Sequence, residues 1–193
     1  EGLGDNLHQR DSSPYLVWEW LVVEAFIRTM SNDTSIWRVP GTVVVQRALD
    51  KHGYVDSRSY LKVARVFGFH GVYKRLATHL GIVDLHLATG PNAEALVDVW
   101  ARDLGLNGMD EAKKLVFPDW SKSVNRCLAE KPPRTNPHWD NKDWEKLANY
   151  FAPSSLKARE KKYLHELLHS TDDRQLGALP LIWQLQTEFD DSG

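Results

Sequence analysis

The sequence is poor in the features that stabilise secreted or membrane-bound proteins. Its 193 residues include one cysteine, Cys127, which excludes a disulfide framework and fits a reducing compartment. The most apolar stretch, residues 16–27, is shorter than a membrane span and contains two glutamates. We therefore expect a cytoplasmic protein that does not contact a membrane.

The chain also lacks an overall positive charge and a phosphate-binding loop. Its 24 lysines and arginines against 26 aspartates and glutamates give a formal net charge of -2. This balance excludes a globally basic surface but allows a local basic patch. No glycine-rich loop of the Walker or dinucleotide-binding type occurs. We expect no cofactor and no enzymatic activity.

Apolar residues recur at helical spacing along most of the chain. Trp20, Val23 and Ile27, for example, share one face of a helix predicted for residues 14–30. Residues 82–87 instead alternate between apolar and polar side chains, which predicts a short, half-buried strand. Further helices are predicted over residues 42–52, 57–66, 69–80, 93–104, 121–130, 142–150, 154–169 and 172–189.

The strongest asymmetry of charge lies in residues 57–83, which contain no aspartate or glutamate. In a chain of net charge -2, this absence concentrates positive charge on one supersecondary unit. A surface that contacts phosphates needs such a concentration of charge. The cationic side chains of this segment are those of Arg58, Lys62, Arg65, Lys74 and Arg75, together with His70 and His79.

The elements predicted around this segment are a helix, a glycine-containing turn, a second helix and a strand. The second helix contains the sequence Val-Tyr-Lys-Arg-Leu at 72–76, and the strand begins with Leu-Gly-Ile-Val at 80–83. These sequences resemble the recognition helix and the following strand of bacterial winged-helix regulators, a form of the helix-turn-helix domain. The resemblance covers residues 42–90.

The resemblance implies a helix over residues 69–80 that buries one side and presents the other to nucleic acid. At 100° per residue, the apolar residues gather on the side expected to be buried. These residues are Phe69, Val72, Tyr73, Leu76 and Leu80.

The opposite side of this helix supplies candidate nucleic-acid contacts, among them the phosphate contacts Lys74 and Arg75. Flanking phosphate contacts are expected from Arg58, Lys62 and Arg65, which precede the helix. His70 and Thr78 carry directional hydrogen-bonding groups, so we expect them to read base edges. The alternative is a helical protein-interaction unit, in which the same cations meet an acidic partner protein or a neighbouring domain of a longer chain.

Prolines mark the clearest boundary along the chain. Pro132, Pro133 and Pro137 exclude a continuous helix through this segment. We therefore expect a mainly α fold with two parts. A winged-helix-like domain with a small β element covers residues 1–131, and a C-terminal helical segment covers residues 132–193.

A second motif lies near the C-terminus. His165-Glu166-Leu167-Leu168-His169 matches the HExxH motif, in which two histidines bind zinc and the glutamate activates a water molecule. Glu188 follows at a spacing that resembles the third zinc ligand of gluzincin aminopeptidases. However, the histidines lie away from the apolar stripe of their helix, so we expect surface histidines and no bound metal.

These observations predict a non-enzymatic module that binds nucleic acid, in the first place duplex DNA. We expect the module to belong to a larger bacterial regulatory or defence assembly. A helical protein-interaction domain without nucleic-acid contact is the first alternative. A zinc peptidase that uses His165, His169 and Glu188 is the second.

Overall fold

The computed structural model describes residues 14–60, 68, 72–135 and 138–170, and it is mainly helical, as predicted. Its α-helices in chain order are α1 (Pro14–Thr29), α2 (Thr42–His52), α3 (Lys74–His79), α4 (Ala93–Asp103), α5 (Met109–Leu115), α6 (Phe117–Ala129), α7 (Asn141–Phe151) and α8 (Ala158–Ser170). Short 3-10 helices cover Thr34–Arg38 and Pro153–Ser155. None of the described helices is long and apolar enough to cross a membrane.

Helix α1 lies at the centre of the fold, because α2, α6 and α7 all pack against it. Val17, Trp20 and Phe26 of α1 are buried in the main hydrophobic core. Since neighbours cover several sides of α1, the helix is apolar on more than one face. Each large apolar side chain buried in this way contributes about 1.5–3 kcal/mol to stability.

A buried carboxylate on α1 connects three parts of the fold. Glu24 is fully buried and accepts a hydrogen bond of 2.8 Å from Nε of Arg28. The same guanidinium donates to the carbonyl oxygen of Gly53 at 2.8 Å and lies 5.2 Å from the ring centre of Trp144. Burial raises the pKa of Glu24, while the neighbouring Thr135 and Arg28 oppose this rise.

A second group of buried residues lies between α4 and α5. It contains Trp100, Ala112 and Val116. The rings of Trp120 and Phe151 pack against both groups, and Trp100 stacks on Phe151 at a centroid distance of 5.7 Å. These aromatic contacts make the two groups one continuous core.

The proline-rich segment packs against the N-terminal part of the chain. The backbone N–H of Thr135 donates to the carbonyl of Val55 at 2.7 Å, and the Thr135 hydroxyl accepts from the N–H of Val55 at 2.9 Å. An antiparallel bridge joins Asp56 to Arg134. The division of the chain into two parts after residue 131 stays a prediction. The described residues on both sides of this position contribute to the same hydrophobic core.

Helix α8 runs antiparallel to α4. At the beginning of α8, the N–H of Glu160 donates to the carboxylate of Asp103 at 3.0 Å, and Asp103 ends α4. Further along α8, the hydroxyl of Tyr163 donates to the carbonyl of Asn92 at 3.3 Å, and Asn92 precedes α4. The chain therefore leaves α8 near the N-terminal end of α4.

The prediction of a strand over residues 82–87 is wrong. The described residues form a turn closed by one antiparallel bridge between Val83 and Thr89. The carboxylate of Asp84 accepts hydrogen bonds from the N–H groups of His86, at 2.7 Å, and Ala88, at 2.8 Å. These bonds use the donors that a partner strand would need, and they favour a turn.

Most of the helix predictions within the described residues are confirmed. The helices predicted over residues 14–30, 42–52, 93–104 and 142–150 are α1, α2, α4 and α7, and the one predicted over 121–130 is part of α6. Helix α5 was not predicted. Helix α8 begins four residues later than predicted, because the chain first forms the 3-10 turn at Pro153–Ser155. The helix predicted over residues 172–189 and most of the one over 57–66 lie outside the described residues.

Candidate functional site

Helix α3 is the described part of the predicted recognition helix. It has only six residues, and it is attached to the fold through its C-terminal end. Leu80, directly after the helix, is buried. Gly81 adopts a φ of 65°, which lets the chain reverse so that the N–H of Ile82 donates to the carbonyl of Ala77 at 2.8 Å.

Asn92 fixes the position of α3 relative to α4. Its side-chain amide donates to the carbonyl of Leu80 at 2.9 Å, and its backbone N–H donates to the carbonyl of Gly81 at 2.9 Å. Gly90 packs so closely against Gly81 that a Cβ atom would lie 2.3 Å from the Gly81 oxygen. The helix that carries the cationic side chains is therefore followed by a turn that hydrogen bonds and close packing hold in place.

The cationic side chains of α3 reach solvent. Arg75 and His79 are exposed, and Lys74 is partly exposed. Among the described residues, no carboxylate forms an ion pair with Arg75. The hydrogen bond from the N–H of Ala88 and the nearby charge of Lys74 both lower the pKa of Asp84, the Ala88 bond more strongly.

Arg58 lies in a turn that follows α2. The carboxylate of Asp56 accepts hydrogen bonds from the N–H groups of Arg58, at 3.0 Å, and Ser59, at 2.6 Å, so the turn is closed locally. Arg58 is exposed, and no carboxylate of the described chain pairs with it. The other predicted contacts, Lys62, Arg65 and His70, lie outside the described residues.

The prediction that α3 buries its apolar side is wrong for three of the residues named. Val72 is 50% exposed, Tyr73 41% and Leu76 47%, and α3 has no buried residue. The reason is that this short helix docks by its end, through Leu80, rather than by a face along its length. The predicted fifth member, Phe69, lies outside the described residues.

The prediction that Thr78 faces outward is also wrong. Its hydroxyl oxygen is buried and has no hydrogen-bond partner among the described residues. Thr78 lies next to the turn, where the N–H of Gly81 donates to its backbone carbonyl at 3.0 Å. In this position the hydroxyl cannot reach the edge of a base.

An apolar cavity of about 500 Å³ adjoins α3. One wall comes from α1, with Trp18, Val22 and Phe26, and the opposite wall includes Tyr73, just before α3, and Val83 and Leu87 of the turn. This volume lies in the range of about 300–1,000 Å³ that is typical of sites for small molecules or anchoring side chains.

One carboxylate lines the cavity. Glu19 accepts a hydrogen bond of 2.5 Å from the hydroxyl of Tyr60, and burial together with the charge of Glu19 raises the pKa of Tyr60. Tyr60 ends the turn that carries Arg58. The hydrogen bond between Tyr60 and Glu19 therefore links this turn to a residue of the cavity wall.

The HExxH histidines lie on the exposed side of α8. His165 and His169 have their ring centres 4.2 Å apart, and both are exposed. Glu166 forms an ion pair of 3.8 Å with Lys162. Within the described part of the chain, no group of three potential metal ligands comes together. Glu188 lies outside the described residues.

The sequence did contain a signal for the cavity. Tyr15, Trp18, Val22 and Phe26 are spaced by three or four residues, so they form a second apolar stripe on α1. This stripe lies beside the one that enters the main core. Because Phe26 also belongs to the main core, the spacing alone does not separate a cavity wall from a core face.

Comparisons with known proteins give no further guidance on this site. No protein-family model, no curated protein and no solved structure matches the chain.

Proposed function

We propose that the protein binds nucleic acid, in the first place duplex DNA, through Arg58, Lys74 and Arg75. The observation that supports this proposal most directly is the exposure of Arg58 and Arg75 without a carboxylate partner in the described structure. Unpaired, exposed cations are available to phosphates, and their contact with phosphates releases condensed counterions.

The proposed contacts are to the nucleic-acid backbone rather than to base edges. The burial of its hydroxyl argues against a role for Thr78 in reading base edges. A helix of six residues with half-exposed apolar side chains does not have the buried underside that groove insertion needs. We therefore propose binding that depends strongly on salt and weakly on sequence.

The winged-helix resemblance and the cytoplasmic location belong to the same proposal. In it, α3 corresponds to the recognition helix, and the turn closed by Val83 and Thr89 takes the place of the wing. The presence of a single cysteine, Cys127, supports a reducing, cytoplasmic environment.

A second candidate function is supported by the apolar side of α3. Val72, Tyr73 and Leu76 are about half exposed, and Tyr73 also lines the cavity. Exposed apolar side chains that adjoin a cavity are typical of protein-docking surfaces. In this alternative, Lys74 and Arg75 contact an acidic protein segment instead of phosphates.

Charge reversal at α3 distinguishes the two functions. In a fluorescence-anisotropy titration with a short labelled duplex, the double variant Lys74→Glu/Arg75→Glu should bind roughly tenfold more weakly than the parent. The matched control is Lys113→Glu/Lys114→Glu, which reverses two adjacent, exposed lysines on α5. This control should retain most of the affinity.

Three results would contradict the proposal. One is a parent that does not bind duplex, which would leave the protein-interaction function. Another is unchanged affinity of a folded α3 variant. The third is an equal loss of affinity in both double variants, which would show that net charge, and not the position of the charges on α3, determines binding.

A further inference from the structure

An apolar surface beside the basic side chains is partly exposed to solvent. It consists of Val72, Tyr73 and Leu76, each about half exposed, and Tyr73 also lines the cavity together with the partly exposed Tyr15. Exposed apolar surfaces of this kind in a monomeric protein usually bind something. We call these residues and the cavity the α3 apolar surface.

Helix α8 contacts the residue that holds the end of α3. Tyr163 contacts Asn92, and Asn92 is hydrogen-bonded to Leu80 and Gly81, which connect α3 to the cavity wall at Val83. Tyr163 of α8 is therefore linked through Asn92 to the turn that follows α3. From Ser170, six residues of extended chain cover at most about 20 Å, which is enough to reach a neighbouring element.

The sequence after α8 is complementary to the α3 apolar surface. Residues 171–193 contain five acidic residues and one arginine, a formal net charge of -4. The same residues include seven large apolar side chains, namely Leu176, Leu179, Leu181, Ile182, Trp183, Leu185 and Phe189. An apolar segment with acidic flanks matches an apolar surface with cationic flanks, here Lys74, Arg75 and His79.

We propose that residues 176–185 dock on the α3 apolar surface, and that the acidic residues on either side of them neutralise Lys74 and Arg75. Nucleic acid and this segment then compete for the same cations, so the segment inhibits binding within its own chain. The competition rests on the proposed function, whereas the docking itself does not depend on it.

The direct test measures access to the cavity in the full chain. Parent and Leu181→Asp/Trp183→Asp are compared by the fluorescence of the apolar dye anilinonaphthalene sulfonate. The variant should bind several-fold more dye, because the α3 apolar surface becomes accessible. The matched control is Leu115→Asp, which changes an exposed leucine on α5 and should leave dye fluorescence unchanged. Equal dye fluorescence in the parent and the tail variant would overturn the proposal.

A reciprocal test changes the docking surface instead of the segment. Leu76→Asp should accelerate tryptic cleavage after Arg174 several-fold relative to Leu115→Asp, because the following residues are no longer held. Mass spectrometry of the products identifies the cleavage site, and circular dichroism verifies that both variants are folded. An unchanged rate of cleavage would contradict the docking.

Two further outcomes separate the alternatives. If sedimentation shows a dimeric parent and a monomeric tail variant, the segment binds a second copy and the intrachain proposal is wrong. If dye binding rises as expected but neither protein binds duplex, the docking is supported and the nucleic-acid function fails.

If both proposals hold, the tail variant should bind duplex at least about threefold more tightly than the parent, since the competitor has been removed.

Discussion

At the scale of single residues, a comparison of the two glycines at the ends of α2 distinguishes the effect of steric crowding from the effect of backbone strain. Gly41 and Gly53 have φ values of 92° and 75°, in the left-handed region that other residues rarely adopt. A Cβ atom at Gly41 would lie 2.5 Å from the hydroxyl of the buried Tyr60, whereas a Cβ atom at Gly53 would have no neighbour within 4 Å.

We predict that Gly53→Ala costs about 1–2 kcal/mol, since only backbone strain acts there. Gly41→Ala should cost at least about 1 kcal/mol more, because Tyr60 must move and weaken its hydrogen bond to Glu19. Urea unfolding of both variants measures the difference. Equal losses of stability would show that the Tyr60 ring moves without cost.

Glu24 makes stability depend on pH. Burial raises the pKa of Glu24 in the folded protein above its usual value of 4.5, so the folded state holds this proton more tightly than the unfolded state. The stabilisation from Glu24 is present below pH 4.5 and is lost as the pH rises through the raised pKa. Glu24→Gln should therefore gain stability relative to the parent between about pH 4 and pH 8.

The measurement is urea unfolding of parent and variant across this pH range. Glu145→Gln, which removes an exposed carboxylate on α7, serves as the matched control. A difference between Glu24→Gln and the parent that does not change with pH would show that Glu24 has the same proton affinity in both states.

At the scale of the elements, the N-terminus of α7 has a complete capping box. The carboxylate of Asp140 accepts hydrogen bonds from the N–H groups of Lys142 and Asp143, and the carboxylate of Asp143 accepts from the N–H of Asp140. Asp140→Ala should destabilise the protein by about 1 kcal/mol, since α7 packs on α1.

Asp119→Ala is the control for the capping prediction. Asp119 lies in the first turn of α6, and its ion pair with Lys122 is exposed and 3.8 Å long. Such a pair contributes little, so this variant should lose only a few tenths of a kcal/mol. Thermal unfolding of both variants provides the comparison. A loss at Asp119 as large as that at Asp140 would contradict the role assigned to the cap.

The elements differ in how well their sequences predict them. Helices such as α1 and α4 have long apolar stripes, and their periodicity identified them correctly. The residues at 82–87 have a strand-like alternation, but the Asp84 carboxylate uses the N–H groups of His86 and Ala88 and forms a turn instead. Local side-chain bonding of this kind is not visible in a pattern of apolar residues.

The candidate site was predicted only in part, for a physical reason. Charge is a property of the sequence, so the exposed Arg58 and Arg75 could be identified without a structure. Which side of a six-residue helix is buried depends on tertiary packing. Among the described residues of the predicted apolar side, Leu80 is buried, whereas Val72 and Leu76 are about half exposed, and their positions around the helix do not show this difference.

At the scale of the whole molecule, one continuous core supports a locally basic surface on a slightly acidic protein. The net charge of -2 provides no general attraction for nucleic acid, so the proposed binding depends on a few cations in defined positions. We therefore expect the salt dependence of affinity to come from these positions and not from the overall charge of the protein.

The slope of log affinity against log salt concentration tests the central claim most directly. With Arg58, Lys74 and Arg75 in contact with phosphates, the parent should show a slope of at least about 2.7 in magnitude on duplex DNA, and Lys74→Ala should lower it by about 0.9. A parent whose binding does not depend on salt, or a folded Lys74→Ala variant with the same slope as the parent, would contradict a phosphate-binding role for α3.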